Sequence, residues 1–179
     1  MSNVLIGIIG VILFIGLALA GALILGSDFL VASSSSKAAA IVQGLQQSSD
    51  AYAMNTLKTG APVSADQGGS LIDILIAGRR LKSRPVNPFN TVGSGGIYGA
   101  DDVGQLNPAK PMKHVIMTLG PTGDRRIRDA CYAIEEQMGS SNPELVDTAI
   151  SFQFRNGGTS RIGCMLNSFS NLYIAYAPL

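Results

Sequence analysis

Hydrophobic and polar positions divide this chain into stretches that follow different rules. The opening "MSNVLIGIIGVILFIGLALAGALILG" contains no charge, and the first ionisable side chain is Asp28. A helix built from such a run is apolar on every side. From Asp28 to Lys58 no proline and a single glycine, Gly44, interrupt the chain. There Leu30, Ala38, Ile41, Leu45 and Tyr52 recur at three-, four- and seven-residue steps, the period of a one-sided helix. Ser33 to Ser36, Gln43, Gln46, Gln47 and Asp50 fill the other positions. Lys58, Gly60 and Pro62 form a stop signal. The pattern predicts one helix of about 55 residues, apolar over 1–27 and amphipathic over 28–59, leading into a globular part over 60–179.

In the globular part the period changes repeatedly. "APVSADQGGS" is a loop. "SLIDILIAG" predicts a short helix with Ser70 as N-cap and Gly78 as its stop. "RRLKSRPVNPFN" is extended and punctuated by Pro85 and Pro88, and "TVGSGGIYGADDVGQLNPAKP" is irregular. "DRRIRDACYAIEEQMG" predicts a helix capped by Asp124, with Ile127, Ala130, Cys131, Ile134 and Met138 on one face and Gly139 past its end. "MKHVIMTL", "TAISFQFR", "SRIGCML" and "NLYIAYAPL" read as strands. In the second of these Ile150, Phe152 and Phe154 share a side, and the "NGG" after it signals a hairpin turn. The expected class is α+β: a long N-terminal helix packed on an antiparallel sheet of about four strands.

The opening run admits three readings: a signal peptide, a membrane anchor, or a stalk that polymerises with copies of itself. A signal peptide starts with a basic residue and has an apolar core of 7–15 residues, whereas this run has no basic start and is longer. Roughly 20 apolar residues span a bilayer, so the length suits a transmembrane helix. The nearest cation is Lys37, which suggests that a short basic leader is removed and that Met1 is the first mature residue. Glycine recurs at Gly7, Gly10, Gly16, Gly21 and Gly26, and Gly16/Ala20 and Ala22/Gly26 are small-xxx-small pairs that let apolar helices approach closely. Any break in the helix is expected between Gly16 and Gly26, where propensity is lowest.

Composition sharpens this picture little. The apolar fraction is 46% and the charged fraction 14%, and a net charge of +1 supplies no bulk field to recruit nucleic acid. Cys131 and Cys164 are the only cysteines; an exported protein would pair them, and a cytosolic one would keep two thiols. His114 is the one histidine, inside a strand-like run and with no catalytic partner in view. Asp101 and Asp102 read as solvated loop acids rather than calcium ligands. Arg79, Arg80, Lys82 and Arg84 form one basic cluster and Arg125, Arg126 and Arg128 another; both read as solvated edges. No residue set supports catalysis, a cofactor or a metal site.

Taken together, the uncharged "MSNVLIGIIGVILFIG" entering a long helix, "GRRLKSRPVNPFN" in the linking region and the late cysteine pair resemble the type IV pilin superfamily, more closely its type IVb branch. "CYAIEEQMG" and "IGCMLNSFSNLYIAYAPL" look like the disulfide-bounded region of type IVb pilins. The resemblance implies a type IV pilin fold and a Cys131–Cys164 disulfide. It further implies processing at Met1 by a prepilin peptidase, residence in the inner membrane, and assembly by pilus machinery into an extracellular filament of identical subunits. Leu5, Gly7, Gly10, Gly16, Ala20, Gly21, Ala22 and Gly26 would then pack in the filament core. The fifth position is Leu5, where these pilins usually carry a glutamate taken to pair with a neighbour's N-terminal amine. The alternative implied functions are a pseudopilin of a secretion system and a membrane-anchored periplasmic accessory or binding domain.

Overall fold

The computed structural model describes residues 2–63, 71–89, 96–100, 113–140, 147–149, 161–168 and 170–179; at 2–7, 22–31, 98, 100 and 147–149 only the backbone is described. In chain order the elements are α1 (Ser2–Thr59), α2 (Leu71–Ala77), β1 (Ile97–Ala100), β2 (His114–Pro121), α3 (Arg125–Gln137), β3 (Asp147–Ala149), β4 (Gly163–Asn167) and β5 (Leu172–Pro178). The chain is α+β. It divides into two compact units, Met1–Ser33 and Ser34–Leu179.

The first unit is helix. Contrary to the expectation from glycine content, α1 has no break between Gly16 and Gly26. Each glycine there weakens the helix by about 1 kcal/mol relative to alanine, which the uninterrupted backbone ladder tolerates.

Within the second unit, the amphipathic part of α1 buries Ala38, Ile41, Val42, Leu45, Ala51 and Tyr52. Leu30, expected on that face, lies outside the described side chains. Gly44 has a packing role, because a Cβ there would sit 3.1 Å from the Pro85 side chain. Lys37 Nζ lies 4.9 Å from the centre of the Phe89 ring, a cation–π distance. Gly60 ends the helix as expected, with φ +72° and its N–H donating to the Thr56 carbonyl at 2.9 Å.

Among the described residues five strands form one sheet in the order β1-β2-β5-β4-β3. The neighbours β1–β2, β2–β5 and β5–β4 are antiparallel, and β3 runs parallel to β4. This corrects the expected four-stranded antiparallel sheet in two ways. Ile97–Ala100, read as part of an irregular loop, is the edge strand β1, with Ile97 buried. At 147–149, where the expected strand "TAISFQFR" begins, the pairing with β4 is parallel rather than antiparallel. Ile150, Phe152, Phe154 and the "NGG" turn lie outside the described residues, as do Ser70, Asp101 and Asp102.

Val115, Met117 and Leu119 of β2 alternate into the same core as Tyr173, Ala175 and Ala177 of β5 and Cys164 of β4. The buried faces of α1, α2 and α3 complete that core. Beside a register shift between Thr118 and Gly120, the Thr118 carbonyl accepts from Asn87 Nδ2 at 2.8 Å, which ties the proline-punctuated segment to β2.

Both short helices carry informative ends. Asp124 caps α3 as expected, its carboxylate accepting the Arg126 N–H at 3.0 Å, and Gly139 turns the chain with φ +81°. α2 ends at Ala77 with Gly78 directly after it, as expected, while the positive φ of 56° belongs to Arg79, and Arg80 N–H donates to the Leu75 carbonyl. That is the left-handed closing position usually held by glycine.

Candidate functional site

Among the described side chains of the first unit, nine large apolar ones stand in solvent: Ile8, Ile9, Val11, Ile12, Leu13, Phe14, Ile15, Leu17 and Leu19, each 49–74% exposed. At 3.6 residues per turn these positions cover the whole circumference of the helix. A soluble surface seldom carries a contiguous apolar patch of that kind without a partner. Among the candidate packing residues, Gly10, Gly16, Ala20 and Gly21 have described surroundings. A Cβ added at Gly10, Gly16 or Gly21 would meet no atom within 4 Å. The chain's own packing therefore gives no reason for glycine at these places. Met1 lies outside the described residues, and of Leu5, Gly7, Ala22 and Gly26 only the backbone is described. No helix is long and apolar enough to cross a membrane among the described residues, whose side chains in this stretch cover 8–21.

The second unit holds the cysteine pair and a polar cluster that sequence reasoning missed. Cys131, buried on α3, is disulfide-bonded to Cys164, buried on β4, with a Cα–Cα distance of 5.5 Å. Beside the bond lies Glu135, a buried carboxylate on the same helix. One of its oxygens accepts the Cys164 N–H at 2.6 Å, and the other accepts from Arg161 Nη2 at 2.8 Å. Gly163 adjoins this cluster: a Cβ there would fall 2.7 Å from Glu135 Oε1 and 2.6 Å from the Tyr176 hydroxyl. Of the two adjacent glutamates in "CYAIEEQMG", nothing local marks Glu135 for burial, and its partners lie in and just before a strand reached only by folding.

Three of the seven cations in the two basic clusters form ion pairs among the described residues. Arg84 pairs with Asp73, Arg126 with Asp124 at 2.6 Å and Arg128 with Asp129 at 3.2 Å. The Arg126 guanidinium holds the Asp124 carboxyl below its ordinary value near 3.8. Burial raises the Tyr173 phenol above its ordinary value of 10.0. His114 begins β2 and is buried there. Among the described residues no group of three or more His, Cys, Asp or Glu could hold a metal ion.

Comparison with protein-family models, curated proteins and solved structures finds no match to this chain.

Proposed function

We propose that this protein is a structural subunit of the type IV pilin kind, polymerising through the apolar part of α1 into an extracellular filament. The observation that carries the reading is the ring of exposed apolar side chains from Ile8 to Leu19, interspersed with glycines that have no packing role in the subunit. Such a surface must be covered by lipid or by its own kind. Burying each large apolar side chain gains about 1.5–3 kcal/mol relative to water. Lipid is equally apolar, so moving from membrane to filament costs little, and close packing at Gly16, Ala20 and Gly21 tips the balance.

On this reading the subunit waits in the inner membrane, is processed at Met1 by a prepilin peptidase and is assembled by pilus machinery. The second unit is the head of a type IV pilin fold, held on the amphipathic part of α1 and fastened by the Cys131–Cys164 bond. The test is electron microscopy of sheared cell-surface material, with mass spectrometry of what it contains. Filaments made of this chain are the expected result. Subunits that stay in the membrane fraction, with no filament, favour a membrane-anchored accessory domain; short assemblies confined to a secretion apparatus favour a pseudopilin.

A further inference from the structure

The amphipathic part of α1 presents a stripe toward solvent that the subunit itself does not use. Asp50, Met54, Leu57 and Lys58 follow one another at the spacing of a single helix face, and all four are exposed, Leu57 by 86%. Met54, Leu57, Lys58 and Arg80 line an open, mostly apolar groove of about 410 Å³. Its walls are therefore apolar with a positive rim. Lys37, the other α1 cation, is occupied by the Phe89 ring. Asp50 and Lys58 have no hydrogen bond or ion pair among the described residues.

The groove calls for an occupant with a carboxylate at the edge of a helix face. Asp73, Asp124, Asp129 and Glu135 are engaged by Arg84, Arg126, Arg128 and Arg161, which leaves Asp50 and Glu136 as the free described acids. Of these, Asp50 lies on α1 itself, the element that meets its own copies in a filament.

We infer that this stripe is a head-to-tail contact between copies of the chain, in which Asp50 of one subunit pairs with Lys58 of the next across the Met54–Leu57 groove. The inference rests on the assembly reading above. Eight residues separate the two charges, so parallel helices joined this way are offset by about 12 Å along their shared axis. The contact supplies a register where Leu5 offers no charge. An isolated exposed ion pair is weak, but one repeated at every subunit acts through the whole array.

The experiment treats native filaments with a water-soluble carbodiimide, which joins a carboxylate to an amine only where the two touch. Within one helix Asp50 and Lys58 are about 12 Å apart, so an Asp50–Lys58 peptide found by mass spectrometry comes from two subunits. The expected result is that peptide, a ladder of covalent multimers, and loss of the ladder in D50N. D50K and K58D should each lose filaments, and D50K/K58D should regain them.

Three results would overturn the inference while leaving the filament reading intact. One is wild-type filaments without the linked peptide. Another is cross-linking that stops at dimers, as a two-fold pair would. The third is E136K losing filaments while D50K keeps them. Absence of wild-type filaments overturns both.

Discussion

Replacing Gly163 with alanine tests whether the packing around the disulfide is as tight as its geometry indicates. Gly163 does not use the left-handed backbone region, so alanine meets no conformational penalty there. The cost is steric. The new Cβ would lie 2.6 Å from the Tyr176 hydroxyl, 2.7 Å from Glu135 Oε1 and 2.9 Å from Tyr176 Cζ. Tyr176 is a rigid ring, 2% exposed, and Glu135 retreats only by releasing the Cys164 N–H that it accepts at 2.6 Å.

Overpacking of this kind costs about 1–3 kcal/mol. Weakening a hydrogen bond to a charged acceptor costs roughly 1.5–3 kcal/mol. The two losses share the movement of Glu135, so a combined cost of about 2–4 kcal/mol is expected. At roughly 3 °C per kcal/mol for a unit of this size, Tm should fall by about 6–12 °C. The assay is thermal unfolding of the full chain in mild detergent, followed by near-ultraviolet circular dichroism with the disulfide intact. On a Tyr176→Phe background, which removes the nearest obstructing atom, the added cost of alanine should shrink by about 1 kcal/mol. A shift under about 2 °C in the wild-type background, or an identical cost in both, would refute the steric argument.

Replacing Gly16 or Gly21 with leucine should abolish filaments while membrane-bound subunit stays at normal levels, and unchanged filament yield in both variants counts against close helix packing there. Cys131→Ser should lower subunit abundance before it changes filament shape, because the bond to Cys164 spans 33 positions and its loop-closure entropy is worth roughly 3–4 kcal/mol; two alkylatable thiols in native, non-reduced protein would sink this. Asp124→Ala should cost about 1 kcal/mol through loss of the α3 cap. Since Arg126 depresses the Asp124 carboxyl, its contribution is present above the ordinary value near 3.8 and fades as pH falls through the lower folded value. Wild type and Asp124→Ala should therefore differ in Tm at pH 7 and converge in strong acid; a gap that persists unchanged in acid would show that the carboxylate charge is not what stabilises the cap.

Local signals in the sequence determined what depends on local chemistry. Period 3.6 marked the buried face of α1, Asp124 and Gly139 bounded α3, Gly60 stopped α1, and β-branched and aromatic runs marked β2 and β5. Each rests on residues within a turn or two of one another, where local chemistry and the tertiary structure agree. The uncharged opening run likewise marked a helix that exposes apolar side chains on all sides.

Tertiary structure decided the rest. "IYGA" is too short and too closely surrounded by glycine to announce a strand, and becomes β1 by pairing with the edge of β2. Arg79 rather than Gly78 takes the left-handed turn, and at Gly78 a Cβ would lie 3.3 Å from the Ile74 carbonyl. The parallel pairing of β3 with β4 is a long-range choice that no turn residue encodes. Above all, Glu135, Arg161, Gly163 and Tyr176 converge beside the disulfide only when α3 packs on β4 and β5. A carboxylate's partners, and the room a glycine leaves for them, are set by distances across the core, which have no counterpart in sequence spacing.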